Sequence, residues 1–349
     1  MKDLVSPDHG RETLGSVFAR VGLTPGTTSS HNGSPPETTK ALPALSLRGT
    51  NGPCNGSIVS LRFAAPKRNT TVTTSKPSSP DADAGTLSSI RTLSNELIAE
   101  AVTLSSAEWD APSNCAPWRV RDLVVHLVIG GEGFASSVRQ GLAGSVEPTG
   151  NEDRLHHQAE LEKADPATVA CALDAITADF VALYDGLSEE QLSASCFHRR
   201  GNRSVRWYAM HRLAEVAFHS WDLRVSLGRE RELSERVAAM LLATLLESNA
   251  PRTYAAGLTP ERGRGERYLF AVSGDPAARW LVTIDPHRLT TERAPARTPA
   301  LTITGTAASL ALLVYGRREL VDLVGSGAIA LDGDSRQRAD RFALVFPRP

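Results

Sequence analysis

The feature that most constrains the fold is a change of hydrophobic period partway along the chain. From Leu87 to Leu246 apolar residues return every three or four positions, the spacing of one face of an α-helix. Leu87, Ile90, Leu93, Leu97, Ile98 and Val102 predict a first helix. Residues 105–118, with two prolines and several turn formers, predict a loop. A second helix is predicted from Val120 through Leu123, Val124, Leu127 and Val128. Gly130-Gly131 weakens it, and Phe134 and Val138 continue it. After a polar stretch containing His156-His157, a third follows through Val169, Leu173, Ile176, Phe180, Leu183 and Leu187. A fourth runs from Val205 to Leu227 and stops at Gly228, a helix-ending residue. A fifth spans Ser234–Leu246. Beyond them Arg267–Val272, Trp280–Ile284 and Ala300–Ile303 are short, rich in β-branched or aromatic residues, and read as strands. Leu310–Val314 and Leu320–Val324 read as short helices. The chain is therefore expected to be mainly α, a helical bundle over residues 85–250, with a small α+β lobe over 251–349.

Residues 1–84 follow neither period. They are rich in Ser, Thr, Pro, Gly and Asn, and between Glu37 and Asp81 no acidic residue occurs. Such a segment buries too little apolar surface to offset the entropy of ordering it, so a disordered tail is expected. It reads equally as a tail that binds something acidic, a transit-like extension, or upstream sequence translated from a start placed too early. The next methionine after Met1 is Met210.

Charge excludes several functions. The net charge is −1 with 22% charged residues of mixed sign, so no global field favours nucleic acid or an anionic membrane. No run approaches the 18 or so apolar residues of a membrane span. Cys54, Cys115, Cys171 and Cys196 include no CxxC pair, so zinc-ribbon and thioredoxin-type readings fail, and small buried or idle thiols are expected. No compact signal peptide opens the chain, and a cytoplasmic location is the default expectation.

The fourth helix carries the candidate chemistry. Glu215 and His219 stand four apart, on one helical face, and His126 lies on the second helix. Two imidazoles and a carboxylate suit Zn²⁺, and also Ni²⁺, Fe²⁺ or Mn²⁺. Facing helices of bundles commonly build metal sites in this way. Taken alone, the spacing fits a surface i,i+4 pair better, and His126 a satisfied core histidine. His211 fits a fourth ligand or, better, a rim residue. Asp222 fits either an orienting partner for an imidazole or a salt bridge to Arg224 or Arg119. Arg317-Arg318 fits an anion contact or, more commonly, a solvated turn.

Two of these segments resemble a known family. Glu108-Trp109, with Asn114-Cys115-Ala116-Pro117-Trp118-Arg119-Val120-Arg121-Asp122-Leu123-Val124-Val125-His126-Leu127, resembles the first motif of the mycothiol-dependent maleylpyruvate isomerase family. His211-Arg212-Leu213-Ala214-Glu215-Val216-Ala217-Phe218-His219-Ser220-Trp221-Asp222-Leu223 resembles its second. Ile303–Leu310 with Tyr315-Gly316-Arg317-Arg318 is similar to its sterol-carrier-protein-like lobe. The likeness spans residues 87–345. One departure is Ala116-Pro117, where the family usually has a Gly before the Trp.

The resemblance implies a DinB-like four-helix bundle followed by a sterol-carrier-like α+β domain. It implies a divalent metal, zinc by expectation, held by His126, Glu215 and His219. It further implies mycothiol or a related low-molecular-weight thiol as cosubstrate, ionised by the metal to attack an electrophilic small molecule. The expected function is thus a metal-dependent thiol transferase or isomerase. The alternative is a non-catalytic module binding metal and a small ligand, which a closed fourth ligand such as His211 would favour.

Overall fold

In a computed structural model the described residues are 80–347, apart from 294, 296–298, 300 and 334. The tail through residue 79, with Cys54, lies outside them. Residues 80–84, expected to belong to that tail, are helical.

Helix α1 (Pro80–Ala101) leads through α2 (Ser106–Trp109) to α3 (Val120–Leu142). Then come α4 (Glu152–Leu161), α5 (Pro166–Ala182) and α6 (Glu189–Ser193). A short hairpin, β1 (Ser195–Cys196) and β2 (Arg203–Ser204), opens into α7 (Val205–Ser226). Helices α1, α3, α5 and α7 form the bundle: α1 and α3 each pack against both α5 and α7. Ile90, Leu97, Leu123, Val124, Leu173, Phe180, Leu213 and Val216 fill its centre, all buried.

Helix α7 is the structural axis of the site. The Ser204 hydroxyl accepts from the Trp207 amide and caps its start. Gly228, at φ 65°, follows its end in the left-handed region that favours glycine. Nearly every residue from Arg212 to Arg224 is buried, so its polar side chains must find partners inside.

Gly130-Gly131 does not end the second helix; α3 runs through it and on past Phe134 and Val138, as expected. Gly131 is instead a point of close approach. A Cβ there would stand 3.0 Å from Ile176 and 3.2 Å from the guanidinium of Arg212. Two further expectations are corrected. The loop 105–118 contains α2, started by a capping box between Ser105 and Glu108. The polar stretch around His156-His157 is helix α4, too polar for a periodic apolar signal. Val102 lies beyond α1 and is exposed.

The chain continues through α8 (Glu235–Thr244), a π-helical turn (Leu245–Asn249) and α9 (Ala250–Ala255). A five-stranded sheet follows: β3 (Glu266–Val272), β4 (Arg279–Ile284), β5 (Leu289–Arg293), β6 (Leu301–Gly305) and β7 (Ile329–Gly333), in the order β5-β4-β3-β6-β7. Only β3 and β6 are parallel, and Tyr268 pairs with Leu301 there. The crossover to β7 carries α10 (Ala307–Val314) and α11 (Leu320–Gly325), and α12 (Ser335–Val345) closes the lobe. Phe342 of α12 packs edge-on against Tyr268, on one face of the sheet. β5, β7 and α12 were not predicted: β5 and β7 are edge strands, β5 mostly polar and β7 only five residues long, and α12 has few apolar residues. The architecture is thus a four-helix bundle followed by a small α+β lobe. No described helix is long and apolar enough to cross a membrane.

Candidate metal centre

Helices α3 and α7, packed against each other, bring His126 beside Glu215 and His219. His126 Nε2 lies 2.9 Å from Glu215 Oε2, and His219 Nε2 lies 3.6 Å from the same oxygen. One ligating atom from each of the three falls within 4.8 Å of the others. Glu215 and His219 are buried, and His126 is partly exposed. Trp118 leans over both imidazoles, its ring 4.8 Å from His126 and 6.1 Å from His219.

Burial alone would push the Glu215 carboxyl up. Hydrogen bonds with His126 and His219 and neighbouring positive charge override it and hold the group well below the usual carboxylate range. Burial alone would likewise lower His219, yet its bonds to Asp222, Cys115 and Glu215 hold it well above the usual imidazole range. Burial pushes His126 down, opposed by Glu215. The donor set fits a divalent ion. Tetrahedral ligands about 2.1 Å from zinc stand about 3.4 Å apart, and the separations of 2.9 and 3.6 Å bracket that value.

His211 does not join this group. Its Nε2 is 3.9 Å from Glu215 Oε1, and its ring stacks on Trp207 at 4.5 Å.

Asp222 sits behind His219, its Oδ2 3.1 Å from Nδ1. Neither Arg224 nor Arg119, the partners considered from sequence, meets it. Arg224 binds Glu96 and Glu100, and Arg119 lies beside Asp110 and Asp122. The partner is Arg317, from the turn after α10, with Nε 2.8 Å from Asp222 Oδ1. Arg317 is therefore no solvated turn residue. Arg318 is, and it pairs with Glu230. Asn114 donates to Asp222 Oδ1 at 3.0 Å, and the Cys115 thiol donates to Oδ2 at 3.1 Å. Cys115 is free and buried, as expected, but it is hydrogen-bonded into the site rather than idle.

Two features escaped the sequence. Arg212 is fully buried and donates to the Leu127 carbonyl at 2.6 Å, with burial lowering its guanidinium to about 10. Its signal was an arginine inside an otherwise apolar face. Tyr315 stacks on Phe218 at 3.7 Å between ring centres, and its hydroxyl reaches Glu215 Oε1 at 3.4 Å. The α+β lobe thus abuts the face of α7 that carries the triad.

Residues 90–224 match the family model described as the mycothiol maleylpyruvate isomerase N-terminal domain, a span that holds both motifs. The crystal structure of the mycothiol-dependent maleylpyruvate isomerase aligns over 72% of this chain and 92% of its own, at 16% identity and a TM-score of 0.50. YfiT from Bacillus subtilis, described as a probable metal-dependent hydrolase with an unusual four-helix bundle topology, aligns over 45% of this chain and 94% of its own. Its identity is 16% and its TM-score 0.38. No curated protein matches. The resemblance read from the two motifs therefore stands, and at these identities the structural likeness is one of fold.

Proposed function

We propose that this chain, similar in fold to the mycothiol-dependent maleylpyruvate isomerase, is a metal-dependent thiol transferase or isomerase. The observation that carries the reading is the convergence of His126, Glu215 and His219 within 4.8 Å. A divalent ion held by His126, Glu215 and His219, zinc in this reading, would supply Lewis acidity that favours the thiolate form of a bound thiol. The thiol is mycothiol or a related small thiol, and the other reactant is an electrophilic small molecule. Addition of the thiol to an activated double bond, rotation and departure of the thiol give isomerisation; addition alone gives transfer.

The chain's own residues hold this arrangement. Asp222 fixes His219 through Nδ1 and leaves Nε2 facing Glu215. Arg317 and Asn114 keep Asp222 ionised and in place. Trp118 covers the imidazoles and limits water around them. The division into a tail, a metal-binding bundle and a lobe belongs to the same proposal, with the bundle beginning at α1 (Pro80–Ala101) rather than at residue 85.

The test is thiol conjugation to a generic electrophile by the full chain, with mycothiol as thiol, before and after chelation. Activity lost on chelation, restored by zinc and absent in His219→Ala supports the proposal. Bound metal with no thiol chemistry would favour a non-catalytic module that binds metal and a small ligand.

A further inference from the structure

Many partly buried arginines of this protein take a carboxylate. Arg206 grips Asp83 and Glu189, Arg224 grips Glu100, and Arg317 grips Asp222. Three arginines gathered at one place do not. Among the described residues, Arg200, Arg203 and Arg252 form no ion pair. The side-chain bonds of Arg203 go to the carbonyls of Asn202 and Arg200. Those of Arg252 go to the Ser248 carbonyl and the Asn249 side chain.

The three come from different elements; Arg203 and Arg252 meet at one indole, and the charge of Arg200 acts on Arg252. Arg200 lies in the β1–β2 turn, Arg203 in β2 and Arg252 in α9. The guanidinium of Arg252 lies 4.8 Å from the centre of the Trp207 ring, and that of Arg203 lies 5.7 Å from it. Arg203 Nε and Trp207 Nε1 are buried and find no acceptor among the described residues. Burial, together with the charges of Arg203 and Arg200, lowers Arg252 to about 10. Gathering like charges with no counter-ion is costly, and an anion relieves that cost.

The cluster is also aligned with the metal centre. Trp207 stacks on His211, and His211 lies 3.9 Å from Glu215. These three occur four residues apart along α7 and so share a face. Trp207 and Glu215 are separated by roughly 12 Å of helix.

The geometry points to an oxyanion-binding site formed by Arg200, Arg203 and Arg252 around Trp207, which holds the carboxylate or phosphate end of an elongated small molecule whose other end reaches the His126–Glu215–His219 triad. Guanidinium forks match both oxyanions in shape and charge, and the Trp207 ring holds two of them by cation–π contact. The choice of substrate as occupant rests on the proposed function; the anion site itself does not.

The test is calorimetric titration of the full chain with inorganic phosphate and, separately, with malonate, alongside metal analysis of the same samples. Saturable binding of at least one probe is expected, weakened tenfold or more in Arg252→Gln and in Arg200→Gln, with metal content unchanged. Arg200→Gln guards against misfolding, because the Arg200 side chain makes no hydrogen bond or ion pair among the described residues. Tighter malonate binding assigns a carboxylate end, and tighter phosphate binding a phosphate end. No saturable binding of either probe, or equal binding by wild type and both variants, overturns the site. Anion binding by protein that holds no metal would keep the site and refute the metal reading; metal without anion binding would do the reverse.

Discussion

Arg317 reaches from the turn after α10 to place its Nε 2.8 Å from Oδ1 of Asp222, a carboxylate with no exposed surface. The pair links the α+β lobe to the helix that carries Glu215 and His219. Removing the arginine takes away one of the two cationic partners of a buried carboxylate, which costs up to about 3–5 kcal/mol. Arg317→Leu is expected to lower unfolding stability by about that amount in urea titration. A loss below about 1 kcal/mol would mean that the pair contributes little.

Asp222 acts on the triad through His219. Asp222→Asn keeps the volume and removes the charge that favours a proton on His219 Nδ1. Metal affinity is expected to fall about 10- to 100-fold, as for other partners of ligating histidines. Competition with a metal indicator measures it, and unchanged affinity would remove Asp222 from the site.

Gly131 tests the packing around Arg212. In an open helix Gly→Ala stabilises by about 0.5–1 kcal/mol. Here the new methyl would meet Ile176 at 3.0 Å and the Arg212 guanidinium at 3.2 Å, both on buried or nearly buried side chains. Overpacking of this kind costs about 1–3 kcal/mol, so Gly131→Ala is expected to be net destabilising. A rise in melting temperature would show that Arg212 has room to move.

The period-3.6 pattern made the four bundle helices legible, because each buries an apolar stripe. The end of α7 was legible in Gly228. The short α2, polar α4 and strands β5 and β7 were not, because local capping and edge pairing hold them rather than an apolar face. Within the site, the spacing of Glu215 and His219 put them on one face, and the family motif linked them to His126. Arg317 lies 95 residues from Asp222 in sequence, so no local pattern could pair them. The arginines around Trp207 escaped for the same reason: Arg252 lies on a helix remote from the hairpin.

His198 gives a pH dependence. Burial, with the charges of His211, Arg203, Arg252 and Arg199, lowers its imidazole to about 3. In the unfolded chain an imidazole takes its proton near 6.5 or so. Between those values the unfolded state binds more protons, so stability falls as the solution is acidified below about 6.5. The urea midpoint is expected to drop steadily from about pH 7 to about pH 5, and less steeply in His198→Phe. Equal slopes would mean that His198 titrates normally in the folded chain.

The central claim is that His126, Glu215 and His219 hold one divalent metal. It is tested most directly by elemental analysis of the purified full chain beside His126→Ala, Glu215→Gln and His219→Ala, each checked for native helicity by circular dichroism. The account expects near-stoichiometric metal in the wild type and its loss from all three folded variants. Wild-type metal content in a folded variant, or a wild type that binds no metal when offered zinc, would contradict it.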